Sequence, residues 1–255
     1  MSNTNPDNRV GRFAWALIAM IAMGLGHPPA WGAGEDEKTS ASAQPLLSQK
    51  QRTIAPIAAA MAVGEMAQLN AALSRGLDAG LTVSDAKEIL VQLYAYTGFP
   101  RSLNALGELM ELVDARKQRG IQDPVGREPA PIPTGNELLA LGTANQTKLL
   151  GAPVAGPLFE FSPAIDDFLK RHLFGDIFAR DNLDWQSREV ATVGALAAMP
   201  GVESQLQSHI AVSMNVGLTA PQLQQVANVL AEAGQADAAR RTRAALKRHL
   251  AGPSR

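Results

Sequence analysis

The sequence predicts an all-α fold, and three observations support this. Apolar residues recur at helical spacing, as in Leu69, Leu73 and Leu77, and no run alternates with the period of two that is typical of a half-buried strand. Aromatic residues make up only 5% of the chain and alanine is abundant, which suits closely packed helices. Glycine and proline separate the periodic segments, for example at Gly80, which indicates short turns between helices.

The composition excludes several classes of function. The 255 residues suffice for one large domain or two of ordinary size. The formal net charge is −1 and no basic run is present, so nucleic acid is not an expected partner. The chain has no cysteine, which excludes thiol redox chemistry, disulfides and thiolate metal sites. No spacing of His, Asp and Glu suggests a metal, and neither a metal nor a cofactor is expected.

The N-terminus has the pattern of a secretory signal peptide over residues 1–32. Arg9 and Arg12 precede an apolar run at 13–25, and the small residues Ala30 and Gly32 mark a cleavage point. The run is shorter than the roughly 20 residues that span a bilayer. We therefore expect a periplasmic or secreted protein without membrane contact after cleavage, and an uncleaved N-terminal anchor is the alternative.

The first helical region extends over residues 51–119, after a polar linker at 33–50. Its predicted helices are 52–63, 65–79, one that begins after the Thr82 cap, and 102–117. A connector rich in proline and glycine follows at 120–135.

The second helical region extends over residues 136–250. It begins with a helix at 137–150 and an irregular stretch to Pro163, which opens a further helix. The buried side of that helix is predicted to carry Phe168, Leu169, Leu173, Ile177 and Phe178. Two helices joined by a break at 200–201 follow, and then helices at 220–233 and 235–250.

One helix of the second region carries a candidate site. Its polar residues at four-residue spacing are Gln205, His209 and Ser213, beside an apolar stripe of Leu206, Ile210 and Met214. Glu189 on the preceding helix lies within reach of His209 if the two helices pack antiparallel. A carboxylate beside an imidazole is a candidate proton-handling pair, because each shifts the pKa of the other. The alternative is a hydrogen-bonded structural histidine beside a core stripe.

The chain also contains an internal repeat. Residues 68–69 and 80–82 recur as 205–206 and 217–219 at one constant displacement, and Arg52 matches Arg188 if a single-residue gap is allowed. The pattern favours a duplication, with repeats at 51–119 and 136–250, over chance matches among alanine-rich helices. Thr53 then stands opposite Glu189, and Ala72 stands opposite His209.

Residues 163–219 and 81–112 resemble the carboxymuconolactone decarboxylase family. The resemblance is carried by the motifs FGDIFAR, RE…QLxxH…GLT and YTGFP. It implies an all-helical fold with an alkyl hydroperoxide reductase D-like architecture, and subunits that assemble in rings. A tandem chain is similar to two fused subunits, so we expect a homo-oligomer, as a trimer of tandem chains.

The family has two chemical branches. One branch uses a Cys-x-x-Cys pair before its histidine, and the corresponding positions here are Val202 and Gln205. Because a peroxidatic step needs a thiolate, peroxidase activity is not expected. The other branch decarboxylates a small lactone acid without cysteines, and this chain keeps its Gln-Leu-x-x-His pattern.

The resemblance implies roles for several residues around a small-molecule substrate. His209 is the expected acid/base and Glu189 its orienting partner, while Arg188 and Arg101 are candidates to anchor a substrate carboxylate. Gln205 is a further candidate substrate-binding residue.

The second repeat lacks the aromatic Gly-Phe-Pro element of the first. We therefore expect one composite site, with chemistry from the second repeat and a wall formed by Tyr96 and Phe99 of the first. The alternative is that Tyr94, Tyr96 and Phe99 only pack beneath a turn.

Three functions remain open at this stage. The first is a cofactor-free enzyme, similar to the decarboxylases, that acts on a small carboxylated or lactone substrate. The others are a non-catalytic binder of a small ligand and an oligomeric scaffold whose site has decayed. The presence of Glu189 and His209 favours the enzyme, whereas the predicted export argues against assuming the substrate of the family's decarboxylases.

Overall fold

The computed structural model describes residues 46–252, and every regular element in that range is helical. The predicted all-α fold is confirmed. The predicted signal peptide and residues 33–45 of the predicted linker lie outside the described residues. Within 46–252, no helix is both long and apolar enough to cross a membrane.

The first half contains five helices with well-defined ends. They are α1 (Gln49–Val63), α2 (Met66–Asp78), α3 (Val83–Gln92), α4 (Tyr94–Thr97) and α5 (Phe99–Gln118). Ser48 and Gln51 form a capping box at the start of α1, and Thr82 and Asp85 form another at the start of α3. The Thr82 cap was predicted, and this prediction is confirmed. Residues 121–134, within the predicted connector, form no helix or strand before α6.

The second half begins with α6 (Gly135–Leu150), α7 (Pro157–Phe161) and α8 (Pro163–Phe168). A π-helical segment (Leu169–Ile177) then continues directly from α8. The remaining helices are α9 (Trp185–Ala198), α10 (Glu203–Asn215), α11 (Ala220–Glu232) and α12 (Ala236–Leu250). The short α7 lies in a stretch that was predicted to be irregular.

The π-helical segment explains a wrong prediction. Phe168 was expected on the buried side, but its exposed fraction is 64%. Phe174, Ile177 and Phe178 are buried against α6 and α10, with Leu169 and Leu173 partly buried beside them. Because π-helical hydrogen bonds join residues five apart, an apolar stripe drawn at 3.6 residues per turn does not continue from α8 through this segment.

The two halves share one hydrophobic core, with α1 and α9 at its centre. All residues of α1 from Ile54 to Ala62 are buried, and so are those of α9 from Ser187 to Ala197. The two helices approach most closely where Gly194 meets Ala55: a Cβ atom on Gly194 would lie 2.7 Å from the carbonyl oxygen of Ala55. Only glycine permits this approach, because any side chain would collide with backbone atoms.

The order of elements in the first half recurs in the second. The starts of α2, α3 and α5 are related to those of α10, α11 and α12 by one common displacement along the chain, and the displacement from α1 to α9 is shorter by a single position. The turns also correspond, since Gly80 has a φ of 95° and Gly217 has a φ of 96°. Thr219 forms a capping box with Gln222 as Thr82 does with Asp85, which confirms the predicted Thr219 cap.

Candidate functional site

The short turn between α9 and α10 brings Glu189 and His209 together. Asp184 caps α9 by accepting a hydrogen bond from the backbone N–H of Ser187, and the turn at 199–202 leads into α10, which packs against α9. The Nδ1 atom of His209 lies 2.8 Å from Oε2 of Glu189. The contact that was expected if the two helices pack antiparallel is therefore present.

The two partners differ in their access to solvent. The Glu189 side chain is fully buried, whereas 17% of the His209 side chain is exposed. An ionised Glu189 only accepts hydrogen bonds, so its contact with His209 selects the imidazole form that carries a proton on Nδ1. The Nε2 atom is then the nitrogen that remains to exchange a proton with a ligand. The buried carboxylate thus fixes both the orientation of the imidazole and the nitrogen that it presents.

Tyr96 of the first half packs against the imidazole of His209. Its ring meets the His209 ring edge-on, with 5.5 Å between the centroids and an angle of 79° between the planes. Burial raises the pKa of the Tyr96 hydroxyl, and the Glu189 carboxylate raises it further, so the phenol stays neutral. The nearby Thr192 opposes this shift in pKa. Its hydroxyl already donates to the carbonyl oxygen of Arg188 and accepts a hydrogen bond from Gln92. Tyr96 therefore contacts His209, as was predicted for the composite site.

Two polar atoms at this site have no hydrogen-bond partner within residues 46–252. They are the Tyr96 hydroxyl and Oε1 of Glu189, and both are buried. Buried polar atoms are normally paired, so these two atoms are exceptions among the described residues.

Phe99 does not contribute a wall to the site. Its ring stacks on Tyr94 with 4.3 Å between the centroids, and 62% of the side chain is exposed. Tyr94 in turn lies beside His172 rather than His209, with centroids 5.5 Å apart. The prediction for Phe99 is wrong because this residue begins α5, and its ring stacks on Tyr94 instead of lying beside His209.

Arg188 is buried in a polar network instead of facing a substrate. Its Nη2 atom donates to Oε1 of Glu88 at 2.8 Å and to the carbonyl oxygen of Arg180 at 2.7 Å. Its Nη1 atom donates to Gln92 at 3.0 Å, and the side chain has no exposed surface. The predicted substrate-binding role of Arg188 is therefore corrected, since the protein itself occupies both terminal nitrogens.

This network also contains residues close to the candidate site that were not predicted from the sequence. Glu88 accepts hydrogen bonds from Arg180 and Arg188, and although burial raises its pKa, these two cations bring the pKa below its ordinary value. The missed signal is a polar stripe at four-residue spacing on α3, where Ser84, Glu88 and Gln92 are all buried. The stripe connects α3 of the first half to Arg188, the residue next to Glu189.

The two other predicted substrate-binding residues lie near the surface. Gln205 is exposed one turn before His209 on α10, and its amide oxygen accepts a hydrogen bond from Ser204 at 2.8 Å. Arg101 is half-buried in the first turn of α5 and makes no side-chain hydrogen bond or ion pair with any residue that the structure describes. Of the two predicted arginine anchors, Arg101 is the one with a free guanidinium.

Two cavities lie away from His209. The larger has a volume of about 420 Å³ and is lined by Lys148, Asp184, Trp185, Gln186, Asn215, Val216 and Gly217. The smaller has a volume of about 150 Å³ and is lined by Pro56, Gln68, Ala71, Ala72, Arg75, Ala233 and Gln235. Neither cavity is lined by His209, whose side chain is 17% exposed. No group of three or more metal-ligating side chains occurs in the part of the chain that the structure describes.

One family model matches a segment of the second half. Residues 163–248 match the sequence profile of the carboxymuconolactone decarboxylase family. The matched segment runs from α8 to α12 and contains both Glu189 and His209, which supports a protein of this family type. Tyr96 and the helices of residues 51–119 lie outside it. A search of curated proteins finds no match for this chain.

Proposed function

We propose that this protein is a cofactor-free acid/base enzyme of the carboxymuconolactone decarboxylase type, acting on a small carboxylated or lactone substrate. The observation that carries the proposal is the contact between Glu189 and His209. A buried carboxylate holds a partly exposed imidazole in one orientation, which is the arrangement of a general acid and its positioning partner.

The proposed reaction needs one proton and no redox partner. The bond between the substrate and its carboxylate breaks, carbon dioxide leaves, and the electron pair stays on carbon in conjugation with the lactone carbonyl. His209 donates its Nε2 proton to that carbon and regains a proton from solvent. The Nδ1 proton remains in the hydrogen bond to Glu189, whose negative charge complements the charged imidazole before the transfer.

The neighbouring residues supply substrate contacts in this proposal. The Tyr96 hydroxyl is neutral and unpaired within residues 46–252, so it serves as a hydrogen-bond donor to the carbonyl on which negative charge develops. Arg101 anchors the substrate carboxylate, because its guanidinium is free of partners among the described residues. Gln205 contributes a polar contact one turn away from His209 on the same helix. A peroxidase function is not proposed, because the chain has no cysteine.

The test compares His209→Asn and Glu189→Gln with the unmodified protein. Release of carbon dioxide is measured over a panel of small carboxylated lactones. We expect His209→Asn to lower turnover by about 10²–10⁴-fold, which is the usual contribution of a general acid. Glu189→Gln should lower turnover less, because it removes the orienting charge and leaves the proton donor.

A matched control is available on the surface. His172 also contacts a carboxylate, with Nδ1 2.7 Å from Asp176, but it lies on an exposed face. His172→Asn should leave turnover unchanged. Equal turnover in the His209→Asn variant and the unmodified protein would overturn the proposal.

A second candidate function is the binding of a small ligand without turnover. It is favoured by the larger cavity, where the Lys148 amine lies 4.8 Å from the centre of the Trp185 ring, in a place suited to an aromatic anion. Saturable binding that Lys148→Met abolishes, with no product from any ligand, would favour this function over the enzyme. A purely oligomeric scaffold predicts neither binding nor turnover.

The architecture supports a duplication and a homo-oligomer as further parts of the proposal. The common displacement of three pairs of helix starts, with a fourth pair one position shorter, supports repeats at 51–119 and 136–250. Exposed apolar side chains on α5 and α8, among them Leu103, Met110 and Phe168, support self-association, with a trimer of tandem chains as the expected assembly. Light scattering after size exclusion tests this assembly.

We also propose export to the periplasm or medium. The basic and apolar pattern of residues 1–32 supports it. The N-terminal residue of the protein recovered from cell fractions tests it, and an N-terminus at Ala33 is the expected result.

A further inference from the structure

The smaller cavity occupies the place in the first half that corresponds to the His209 site in the second. Three of its lining residues have counterparts there under the displacement that relates α2 to α10. Gln68 corresponds to Gln205, Ala72 to His209, and Ala233 to Tyr96. The same pair of helices, α1 and α2 in place of α9 and α10, therefore forms a second corner with the same backbone plan.

The side chains explain why this corner contains an open volume. An imidazole and a phenol fill the site at His209, whereas Ala72 and Ala233 offer only methyl groups at the corresponding positions. Thr53 stands where Glu189 lies, and its hydroxyl donates to the carbonyl oxygen of Lys50 at 2.8 Å. The corner has lost the acid, its partner and the aromatic wall, and about 150 Å³ of space remains. Proton transfer by the residues at this corner is excluded, but binding is not.

The polar groups around the cavity define the ligand that it suits. Arg75 lines the cavity with an exposed guanidinium that forms no ion pair within residues 46–252. Gln235 donates through Nε2 to the carbonyl oxygen of Pro56 at 3.3 Å, which fixes the orientation of its amide. Its Oε1 atom is then buried without a donor among the described residues. The cavity thus offers a cation for an anion and an acceptor that needs a donor.

The remaining wall is apolar except for the exposed Gln68. Pro56, Ala72 and Ala233 present hydrocarbon surface. The cavity is open to solvent where Gln68, Ala71 and Arg75 are exposed, and its volume is about that of a cavity that holds a single benzene ring. The ligand therefore has a flat apolar body between its charged group and its donor.

We propose that this cavity is a second, non-catalytic binding site for a small aromatic hydroxycarboxylic acid. The carboxylate of the ligand pairs with Arg75, its ring lies against Pro56, Ala72 and Ala233, and its hydroxyl donates to Oε1 of Gln235. The proposal does not depend on catalysis at His209, because no residue of that site lines the cavity.

The experiment measures binding of 4-hydroxybenzoate to the full chain by titration calorimetry. Benzoate lacks the hydroxyl donor and phenol lacks the carboxylate, so each tests one polar contact. We expect each to bind about tenfold or more weakly than 4-hydroxybenzoate, which is the usual loss for a hydrogen bond to a charged or buried partner.

Three variants locate the site. Arg75→Gln and Gln235→Leu should each weaken binding by about tenfold or more, and Arg75 is exposed, so its replacement leaves the fold intact. His209→Asn should change the affinity by less than about twofold, because that ring lies outside the cavity.

Two outcomes overturn the proposal. One is the absence of saturable binding to the unmodified protein. The other is binding that His209→Asn abolishes and Arg75→Gln leaves unchanged, since the ligand then occupies the His209 site. Turnover at His209 is measured separately, so loss of either function is distinguishable from loss of the other.

Discussion

The corner around His209 and the corner around Ala72 have equivalent helices and different side chains. In the first, Glu189, His209 and Tyr96 lie together, and two buried polar atoms have no partner within residues 46–252. In the second, the corresponding residues are small and a cavity takes their place. The two corners thus share a backbone plan, and they differ in the three side chains that the proposed acid/base chemistry requires.

The two halves also differ at two arginines in corresponding positions, Arg188 and Arg52. Arg188 is fully buried, and its charge is balanced by Glu88 at 2.8 Å. Its counterpart Arg52 is 43% exposed and lies 3.6 Å from Glu232, which is also exposed. One buried and one exposed ion pair, formed by arginines at equivalent places with acids that are not counterparts, allow the energetic difference to be tested.

The largest expected effect comes from breaking the buried pair. Glu88→Ala leaves Arg188 buried without its counter-ion, so we expect the free energy of unfolding to fall by about 3–5 kcal/mol. Glu232→Ala removes the exposed partner of Arg52 and should change the free energy of unfolding by less than about 1 kcal/mol. Urea unfolding followed by circular dichroism measures both, and equal effects would contradict the contrast between the two halves.

The buried pair should also give the stability a dependence on acid pH. The pKa of Glu88 in the folded protein lies below its ordinary value of 4.5, so its contribution is fully present above that value and is lost as pH falls through the folded pKa. We expect the stability difference between the unmodified protein and Glu88→Gln to shrink in that range. A difference that stays constant from neutral pH into the acid range would show that Glu88 is not the responsible group.

A smaller loss in the free energy of unfolding is expected from a substitution where α1 and α9 meet. Gly194→Ala places a Cβ atom against the Ala55 backbone, so we expect a loss of about 1–3 kcal/mol in the free energy of unfolding. Gly107→Ala is the matched control within helix α5, where a Cβ atom meets nothing within 4 Å. It should stabilise the protein by about 0.4–1 kcal/mol. Thermal unfolding of both variants distinguishes the crowded glycine from the open one.

The smallest effect on stability is expected at Tyr96. Tyr96→Phe removes a buried hydroxyl that has no partner among the described residues, so the free energy of unfolding should change by less than about 1 kcal/mol. If the hydroxyl contacts the substrate, turnover falls while stability does not. An unchanged turnover would reduce Tyr96 to a packing residue, as the alternative interpretation of the sequence holds.

Local signals predicted much of this structure. The caps at Thr82 and Thr219 depend on residues within three positions of one another, and they are present as predicted. The contact of Glu189 with His209 was predictable for a related reason, because four-residue spacing defines a helix face and a short turn folds that face back onto the preceding helix.

Other features depend on neighbours that are distant in the chain. Arg188 had the sequence context of a substrate anchor, but its partner Glu88 lies in the other half, and only packing of α3 against α9 shows that the pair is buried. The change to π-helical bonding after Phe168 likewise does not follow from apolar periodicity.

The sequence by itself determined the helices, their ends and the face on which His209 lies, since these depend on local spacing and capping. Only the tertiary structure decided which charged groups are buried together, where Tyr96 meets His209, and that the position of Ala72 opens into a cavity. Burial, the pKa of Glu88 and cavity volume are properties of groups brought together from both halves, and periodicity within one helix carries no information on them.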